Sequence, residues 1–499
     1  MYIVNNSEKM FYELANIVRL FYPTKEIKWK KLEESENLDS DVVFASSSTI
    51  DTTTKLLVEL KMASGKTLTK ANSIENMRVK DHIALGKMLY EILSEISGKK
   101  IEWGVLTGIR PVKIARKMRM DGMSYEDIEA YFENEYLVSQ KKAKLCVRTE
   151  EMQKDIVNSS LPNGYSMYIS VPFCPSRCTY CSFVSHSIEK ARDLIPLYVD
   201  KMCEEIRHTG ELMRGKNLVL QSIYMGGGTP TTLNADEMRQ VLTTVRDNFD
   251  LSQCKEITVE AGRPDTITAD KLQVLKELGV NRISVNCQTL NDEVLEEIGR
   301  KHTAEEFFSA YELVKSFNFD TINVDLIAGL PKDSFESFKN SIDRVIALNP
   351  ENITVHALTV KRAATLAKGK DDILSEHNTE GESEISQMIN YSQNALSESY
   401  EPYYLYRQKG TVESLENVGF AKNGHECYYN IYIMDEAHSI VSFGAGGVTK
   451  VVIKNPNDEN DVRIERIFNL KYPYEYINRF EEAKEKKNDM MALFDEVNA

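Results

Sequence analysis

The sequence predicts an α/β protein built around a partial (β/α)6 TIM-like barrel, with α+β domains before and after it. Two observations predict this. From about Ser166 to Val360 one unit recurs, a short β-branched run followed by a loop and an amphipathic helix. The candidate strands are Met167–Phe173, Ser222–Gly226, Glu256–Glu260, Arg282–Asn286, Thr321–Ile327 and Asn352–Leu358. Helical patterns such as Ala235–Asn248 and Lys271–Leu278 lie between them, and Gly279 supplies a left-handed end to the second. Parallel strands joined by right-handed crossovers curl into an open or closed barrel, with the active site at the strand C-terminal ends. The second observation is that the chemistry-bearing motifs fall at those ends.

The flanks read differently. Residues 1–155 show a short helix, strand-like stretches at Asp41–Ala45 and Lys55–Met62, and helices from about Val79, a separate α+β domain. The barrel is expected over 156–367. The polar stretch Lys368–Ser383 reads as a loop or connection. A C-terminal α+β domain over 368–499 follows, with a helix at Glu384–Glu398, strand-like runs at Tyr403–Arg407, Tyr428–Met434 and Ile440–Phe443, and a charged helix at about Tyr474–Phe494.

A net charge of −15, from 61 Lys+Arg against 76 Asp+Glu, repels nucleic acid and anionic membranes unless a cleft hides a basic patch. No apolar run approaches the roughly 18 residues of a membrane span, and the N-terminal stretch is charged too often for a signal peptide. The expected location is the cytoplasm, with no nucleic-acid partner and no stable membrane association. Eight cysteines in such a chain have no use as a disulfide framework. Five are scattered and read as small buried hydrophobes.

The other three, Cys174, Cys178 and Cys181, stand four and three residues apart in the loop after the first strand. Three ligands leave one position free. Zinc normally closes its tetrahedron with a fourth ligand, and His186 is the one neighbour near enough to consider. A [4Fe-4S] cluster on three thiolates instead keeps one iron open, which binding and cleaving a cofactor requires.

The second strand runs into Gly226-Gly227-Gly228-Thr229-Pro230, where backbone groups can approach and hydrogen-bond a ligand, although a tight turn uses glycines in the same way. Glu260, Gln288 and Asp325 recur at later strand ends, with Arg300 after the fourth strand. Singly each reads as a cap or a surface charge. Together they form a ring of polar and charged groups complementary to a zwitterionic, ribose-bearing cofactor.

The CxxxCxxC loop after the first strand of such a barrel resembles the radical S-adenosylmethionine (SAM) superfamily over about two hundred residues. Within it, YISVPFCPSRCTYCSF, YMGGGTPT, ISVNCQTLNDEVLEEIGRKHT and INVDLIAGLP look like the oxygen-independent coproporphyrinogen III oxidase group and its haem-chaperone relatives. The flanking runs containing Trp103, Gly104, Gly108, Arg110, Pro111 and Lys113, then Glu416, Asn417 and Gly419, then Ser442 to Gly447, look most like the HemZ-type branch. The resemblance implies cluster ligation by Cys174, Cys178 and Cys181. It implies S-adenosyl-L-methionine contacts from Tyr168, Tyr180, Gly227, Gly228, Thr229, Glu260, Gln288, Arg300 and Asp325, with Tyr168 also catalytic.

The activity it implies is oxidative decarboxylation of coproporphyrinogen III to protoporphyrinogen IX, in which a 5′-deoxyadenosyl radical takes hydrogen from a propionate β-carbon. It implies a tetrapyrrole substrate and a flavodoxin or ferredoxin-type electron donor. The decarboxylating oxidases carry a further cysteine two residues after the third ligand, where this chain has Phe183, as in the chaperone branch. A haem-binding chaperone, or a radical enzyme acting on another substrate, therefore stands beside the leading reading.

Four propionates would need a locally basic pocket. Arg110 and Lys113, around a helix start at Pro111, are one candidate, though a domain-packing turn is the preferred reading. Lys361-Arg362 is a second, and such loops are usually solvated surface. Ser442–Gly447 reads either as a ligand-approaching loop or as a turn between strands. Tyr403, Tyr404, Tyr406, Tyr428, Tyr429 and Tyr432 read first as half-buried strand faces. His356 and His425 are possible haem ligands or proton donors, roles a lone histidine rarely fills.

Overall fold

The computed structural model describes residues 1–23, 25–34, 40–76, 80–108, 110–183, 185–359, 364, 366, 383–408, 414–455 and 458–497. The chain divides into two compact units. One comprises Met1–Glu150, Gly369–Ser386 and Arg407–Glu416; the other comprises Glu151–Lys368, Gln387–Tyr406 and Asn417–Ala499.

In the first unit, a five-stranded sheet has the order Lys28–Lys30, Tyr2–Val4, Val42–Ile50, Thr53–Lys61, Thr67–Glu75. Period-two alternation buries Leu56, Val58 and Leu60 while Lys55, Leu57 and Glu59 face the other way. That face packs with helices Glu8–Phe21 and Asp81–Ser97 around one apolar core. Ser7 caps the first helix and Gly98, at φ +68°, ends the second. Both strand-like stretches expected here are strands, and the helix expected from about Val79 begins at Asp81; Val79 itself lies outside the described residues. Two flanking motifs meet inside this unit: Trp103 Nε1 donates to Glu416 Oε2 at 2.6 Å, and Lys142, fully buried, pairs with Glu416 at 2.5 Å and Glu102 at 3.2 Å.

The second unit holds the barrel strands Gly164–Val171, Val219–Gly227, Glu256–Glu260, Arg282–Ser284, Thr321–Ala328 and Asn352–Ala357, paired parallel in that order. All six expected strands are present. The strands alternate polar and apolar residues, as in Glu-Ile-Thr-Val-Glu of the third and Asn-Ile-Thr-Val-His of the sixth. The Ile and Val side chains are buried on one face, and the polar residues share the other. His356, on the sixth strand, lies near enough to Glu260, on the third, to favour its carboxylate. A flat sheet would separate these strands by roughly 14 Å, so the polar face is the inside of a curved wall. Helices Ala235–Asn248 and Ala269–Glu277 match their expected positions, with Gly279 at φ +79°.

The C-terminal residues extend this same sheet. Glu416–Ala421 pairs antiparallel with the sixth barrel strand, and Ser439–Phe443 pairs parallel with the first, followed by Val448–Asn455 and Asp458–Phe468. The expected strands at Tyr403 and Ile440 are found as Glu401–Arg407 and Ser439–Phe443. Tyr428–Met434 is not a strand: Tyr428–Asp435 is an α-helix. Its cause is remote in sequence. The Glu256 carboxylate accepts from the Tyr428 and Tyr429 backbone N–H groups at 3.1 and 3.2 Å, capping the helix from the third barrel strand. Most of the expected loop Lys368–Ser383 lies outside the described residues, and the last expected helix is two, Pro473–Asn478 and Phe480–Val497.

Candidate functional site

The first barrel strand ends at Val171, and the short strand Phe173–Cys174 pairs parallel with His186–Ser187, which folds the cysteine-bearing chain into a closed loop. The loop is pinned where the fourth barrel unit ends. Thr179 N donates to Ile298 O at 3.0 Å, Ser176 Oγ donates to Gly299 O at 2.8 Å, and Arg263 Nη1 donates to Ser176 Oγ at 3.0 Å. Cys181 N closes a turn on Cys178 O at 3.1 Å. Burial raises the Cys174 and Cys181 thiols above the ordinary range, and the neighbouring Cys178 sulfur raises both further. Buried thiols in one loop are donors that a cationic centre would convert to thiolates. Among the described residues no three His, Cys, Asp or Glu side chains converge as ligands of a single ion would. A cube-shaped cluster takes its thiolates at separate corners.

The glycine turn lies directly against this loop. Gly228 N donates to Val171 O at 2.8 Å, Thr229 N to Phe173 O at 2.7 Å, and Thr229 Oγ1 to Cys174 Sγ at 3.5 Å. A Cβ on Gly228 would stand 2.5 Å from Phe173 O and 3.0 Å from Cys174 Sγ, so only glycine leaves the cysteine its place. Gly227 adopts φ +112°.

Below the loop, the inward residues of the strands form the ring. Tyr224 donates its hydroxyl to Glu260 Oε1 at 2.5 Å. The Tyr224 ring stacks on Tyr168 and Tyr429, centroids 6.2 and 4.7 Å away. Burial, with the Asp325 charge adding to it, pushes the Glu260 carboxyl up to about 7 against the opposing Tyr224 hydrogen bond. Burial also acts on Asp325, but the nearby His356 and a hydrogen bond from Asn323 Nδ2 at 2.8 Å outweigh it and hold that carboxyl below its usual range. Two carboxylates in one chamber are thereby driven apart, one poised near neutrality and one ionised. His356 stands between Asp325, at 3.8 Å, and Asn417, at 3.3 Å.

Arg300 reaches in from the segment after the fourth strand, donating to Asn286 O at 2.6 Å and Gly262 O at 3.2 Å, with the Tyr180 hydroxyl at 3.5 Å. Its buried Nε has no protein partner, and neither has the buried Oε1 of Gln288. Gln288 also sits at φ +70°, a left-handed conformation that costs a non-glycine residue about 1–3 kcal/mol. Unpaired buried polar atoms, a strained backbone and a glycine cradle beside three thiols fit an iron-sulfur cluster and a polar nucleoside ligand.

All twelve residues expected at the site lie around this strand-end mouth or on the inward face below it. Tyr224 was missed. It lies two residues before Gly226 on the inward side, so strand alternation carried the signal. The other candidates go elsewhere. His186 pairs with Phe173 and sets its ring edge-on to Tyr472 and Tyr474. Arg110 precedes the helix Pro111–Met120, which starts at Pro111 as expected. Lys361-Arg362 lies outside the described residues. Ser442–Gly447 is a turn: Gly444 N donates to buried Glu205 at 2.8 Å, Ala445 N donates to Tyr198 at 2.9 Å, and a Cβ on Gly444 would meet Tyr198 Oη at 2.3 Å. His425 sits at the opposite end of the strands, against Thr321 Oγ1 at 2.9 Å. Tyr403, Tyr404 and Tyr406 do lie on a strand, whereas Tyr428, Tyr429 and Tyr432 lie on the capped helix.

The Radical SAM superfamily model matches residues 168–345. The oxygen-independent coproporphyrinogen-III oxidase-like protein HemZ of Bacillus subtilis (strain 168) is 37% identical over 400 residues, covering 79% of this chain and 78% of the relative. The heme chaperone HemW of the same organism is 31% identical over 290 residues, covering 56% of this chain and 69% of the relative. Among solved structures, coproporphyrinogen III oxidase (HemN) from Escherichia coli, a radical SAM enzyme, superposes with a TM-score of 0.52 at 22% identity, covering 67% of this chain and 73% of that one. Among the described residues no helix is long and apolar enough to cross a membrane. The chain belongs to the HemN/HemZ/HemW family of the radical SAM superfamily, whose members work with a [4Fe-4S] cluster and S-adenosylmethionine.

Proposed function

We propose that the chain is an oxygen-independent coproporphyrinogen III oxidase, converting two propionates of coproporphyrinogen III to vinyl groups and so yielding protoporphyrinogen IX. One observation carries the reading: Cys174, Cys178 and Cys181 stand in one loop over a barrel mouth whose inward wall is polar and retains buried, unpaired atoms on Gln288 and Arg300. When bound, a [4Fe-4S] cluster and S-adenosylmethionine would supply hydrogen-abstracting radical chemistry at this mouth. The protein's own residues place it. The three thiolates would hold the cluster, and the Gly227 and Gly228 carbonyls, in a turn whose N–H groups are already spent on Glu260, Val171 and Phe173, would accept from the methionine ammonium of the cofactor. Glu260 and Asp325 offer carboxylates for its ammonium and ribose hydroxyls, Gln288 and Arg300 offer the unpaired atoms, and the stacked ring of Tyr168 floors the chamber. Tyr180 orients Arg300.

Phe183, 62% exposed at the position where the decarboxylating enzymes have a thiol, favours a second reading as a haem chaperone. Anaerobic protein loaded with iron and sulfide, then given dithionite, S-adenosylmethionine and coproporphyrinogen III, separates the two by mass spectrometry. Vinyl products with stoichiometric 5′-deoxyadenosine support the oxidase. Haem binding with slow, substrate-independent 5′-deoxyadenosine establishes the chaperone. Substrate-independent cleavage without haem binding points to another substrate and sinks both.

A further inference from the structure

The cysteine loop shows the outside of the second unit an aromatic and basic face. His186 and Ser187 run parallel to Phe173 and Cys174, one strand spacing of about 4.8 Å away. The His186 ring meets Tyr472 and Tyr474 edge-on at 6.1 and 6.2 Å, and those two tyrosines stack at 5.6 Å with an interplanar angle of 11°. Tyr474 is 45% exposed and Phe183 62%. Both are large side chains left in water, Phe183 two residues after Cys181 and Tyr474 against His186.

The charge here runs against the rest of the molecule. Arg177 lies next to His186 and lowers its proton affinity, the larger share coming from burial. Lys190 and Arg192 follow on the same segment, Lys301 stands over it in an ion pair with Glu189 at 2.9 Å, and Lys471 lies over the Tyr472 ring at 5.5 Å. All are exposed. Against Arg177, Lys190, Arg192, Lys301 and Lys471 stand the carboxylates Glu189 and Asp193, on a chain whose net charge is −15. Glu475, the next carboxylate along, neighbours Arg479. Basic residues gathered around exposed aromatics, on an otherwise acidic protein, suit a partner that presents an acidic rim around an exposed redox group.

We propose that this face, built from Arg177, His186, Lys190, Arg192, Lys471, Tyr472 and Tyr474, is where an acidic, low-potential one-electron carrier protein docks to reduce the cluster. The inference rests on Cys174, Cys178 and Cys181 as cluster ligands. In the transfer the carrier loses one electron and the cluster gains it; no bond forms or breaks and no proton moves. The patch places the carrier's redox group on the solvent side of the Cys174 loop, so the electron need not cross the substrate chamber.

The test uses the full chain and reduced flavodoxin as the acidic carrier. The variant Lys190→Glu/Arg192→Glu/Lys471→Glu should bind flavodoxin at least about tenfold more weakly by titration calorimetry, within the 10- to 1,000-fold range of electrostatic steering, and the parent affinity should fall as salt rises. Cluster reduction by flavodoxin, followed by its visible bleaching, should slow by a similar factor, while reduction by dithionite stays unchanged. Tyr474→Ala should weaken binding with no change in its salt dependence. Carbodiimide cross-links from flavodoxin carboxylates should map to Lys190, Lys301 or Lys471. Unchanged affinity in the triple variant, or cross-links mapping elsewhere, overturns the docking face. If neither reductant bleaches any cluster, the cluster reading fails instead, and the calorimetry still decides whether the face binds the carrier.

Discussion

The two ends of the barrel strands are equally polar and do opposite things with their polarity. At the N-terminal end, Glu256 accepts from Cys427 Sγ and from two backbone N–H groups, His425 is held by Thr321, and His438 uses both ring nitrogens, on Ser166 at 2.8 Å and Gln221 at 3.0 Å. At the C-terminal end, Gln288 Oε1 and Arg300 Nε are buried and unpaired, Gln288 is strained, and Glu260 is held near neutrality. Buried polar groups normally find partners, and at the N-terminal end the carboxylate and both histidines have theirs, with the Tyr432 hydroxyl left without one; the C-terminal end leaves a guanidinium and an amide for something it binds. Residue type alone does not separate them: each end has its carboxylates and its histidine.

The largest effect that would break this contrast is at the thiols. Replacing Cys174, Cys178 or Cys181 by Ala should remove the iron-sulfur absorption and lower 5′-deoxyadenosine formation by roughly a hundredfold or more, with the urea midpoint little changed. Retained colour and activity would mean that these thiols hold no cluster. At the opposite end, Glu256→Ala leaves the Tyr428 and Tyr429 N–H groups without their acceptor and removes a charge facing buried Arg282. Its cost should be about 2–4 kcal/mol in urea unfolding, with S-adenosylmethionine affinity per folded molecule unchanged. A lost affinity at full stability would make the N-terminal end part of the site.

These two ends also divide what could be read in the sequence. The mouth was legible because its signals are local: a CxxxCxxC spacing, a glycine run at the end of the second strand, and inward residues two apart along the β-branched strands. The closed end was not, because its parts come from afar. The run Tyr428–Met434 has the composition of a strand, yet its helix is capped by Glu256, which no local pattern announces. Ser439–Phe443 joins the first barrel strand in parallel, and Glu416–Ala421 joins the sixth antiparallel, each pairing made between segments far apart in the sequence. Even at the mouth end, where Ser442–Gly447 follows a strand parallel to the first, the outcome was decided from afar, by Glu205 and Tyr198, buried on a helix well over two hundred residues earlier.

The contrast sharpens at Glu260. A carboxyl raised from 4.5 to about 7 by the fold favours the folded state while it is protonated, and that contribution is lost as pH rises from about 4.5 through about 7. The apo Glu260→Gln variant, which cannot ionise, should therefore gain thermal stability relative to the parent across that window and hold a constant advantage above it. S-adenosylmethionine affinity should move the other way, improving in the parent as pH passes about 7 and staying flat, about tenfold weaker at pH 8, in the variant. A difference in melting temperature that is constant with pH would mean that Glu260 titrates normally.

The smallest and most specific effect belongs to Tyr224. Its hydroxyl donates to Glu260 at 2.5 Å and thereby favours the ionised carboxylate, alongside a backbone N–H from Gly227 and the nearby His356, while burial and Asp325 oppose all three. Tyr224→Phe keeps the ring stacked between Tyr168 and Tyr429 and removes only that donor. The Glu260 midpoint should rise above about 7, carrying the pH midpoint of S-adenosylmethionine binding upward with it. Affinity at neutral pH should fall a fewfold and recover at pH 9, a pattern that lost packing would not produce. Placing the same substitution in the Glu260→Gln background isolates the cause: if Tyr224 acts through Glu260, the second change adds nothing, and if the chamber merely needs a tyrosine there, the two losses add.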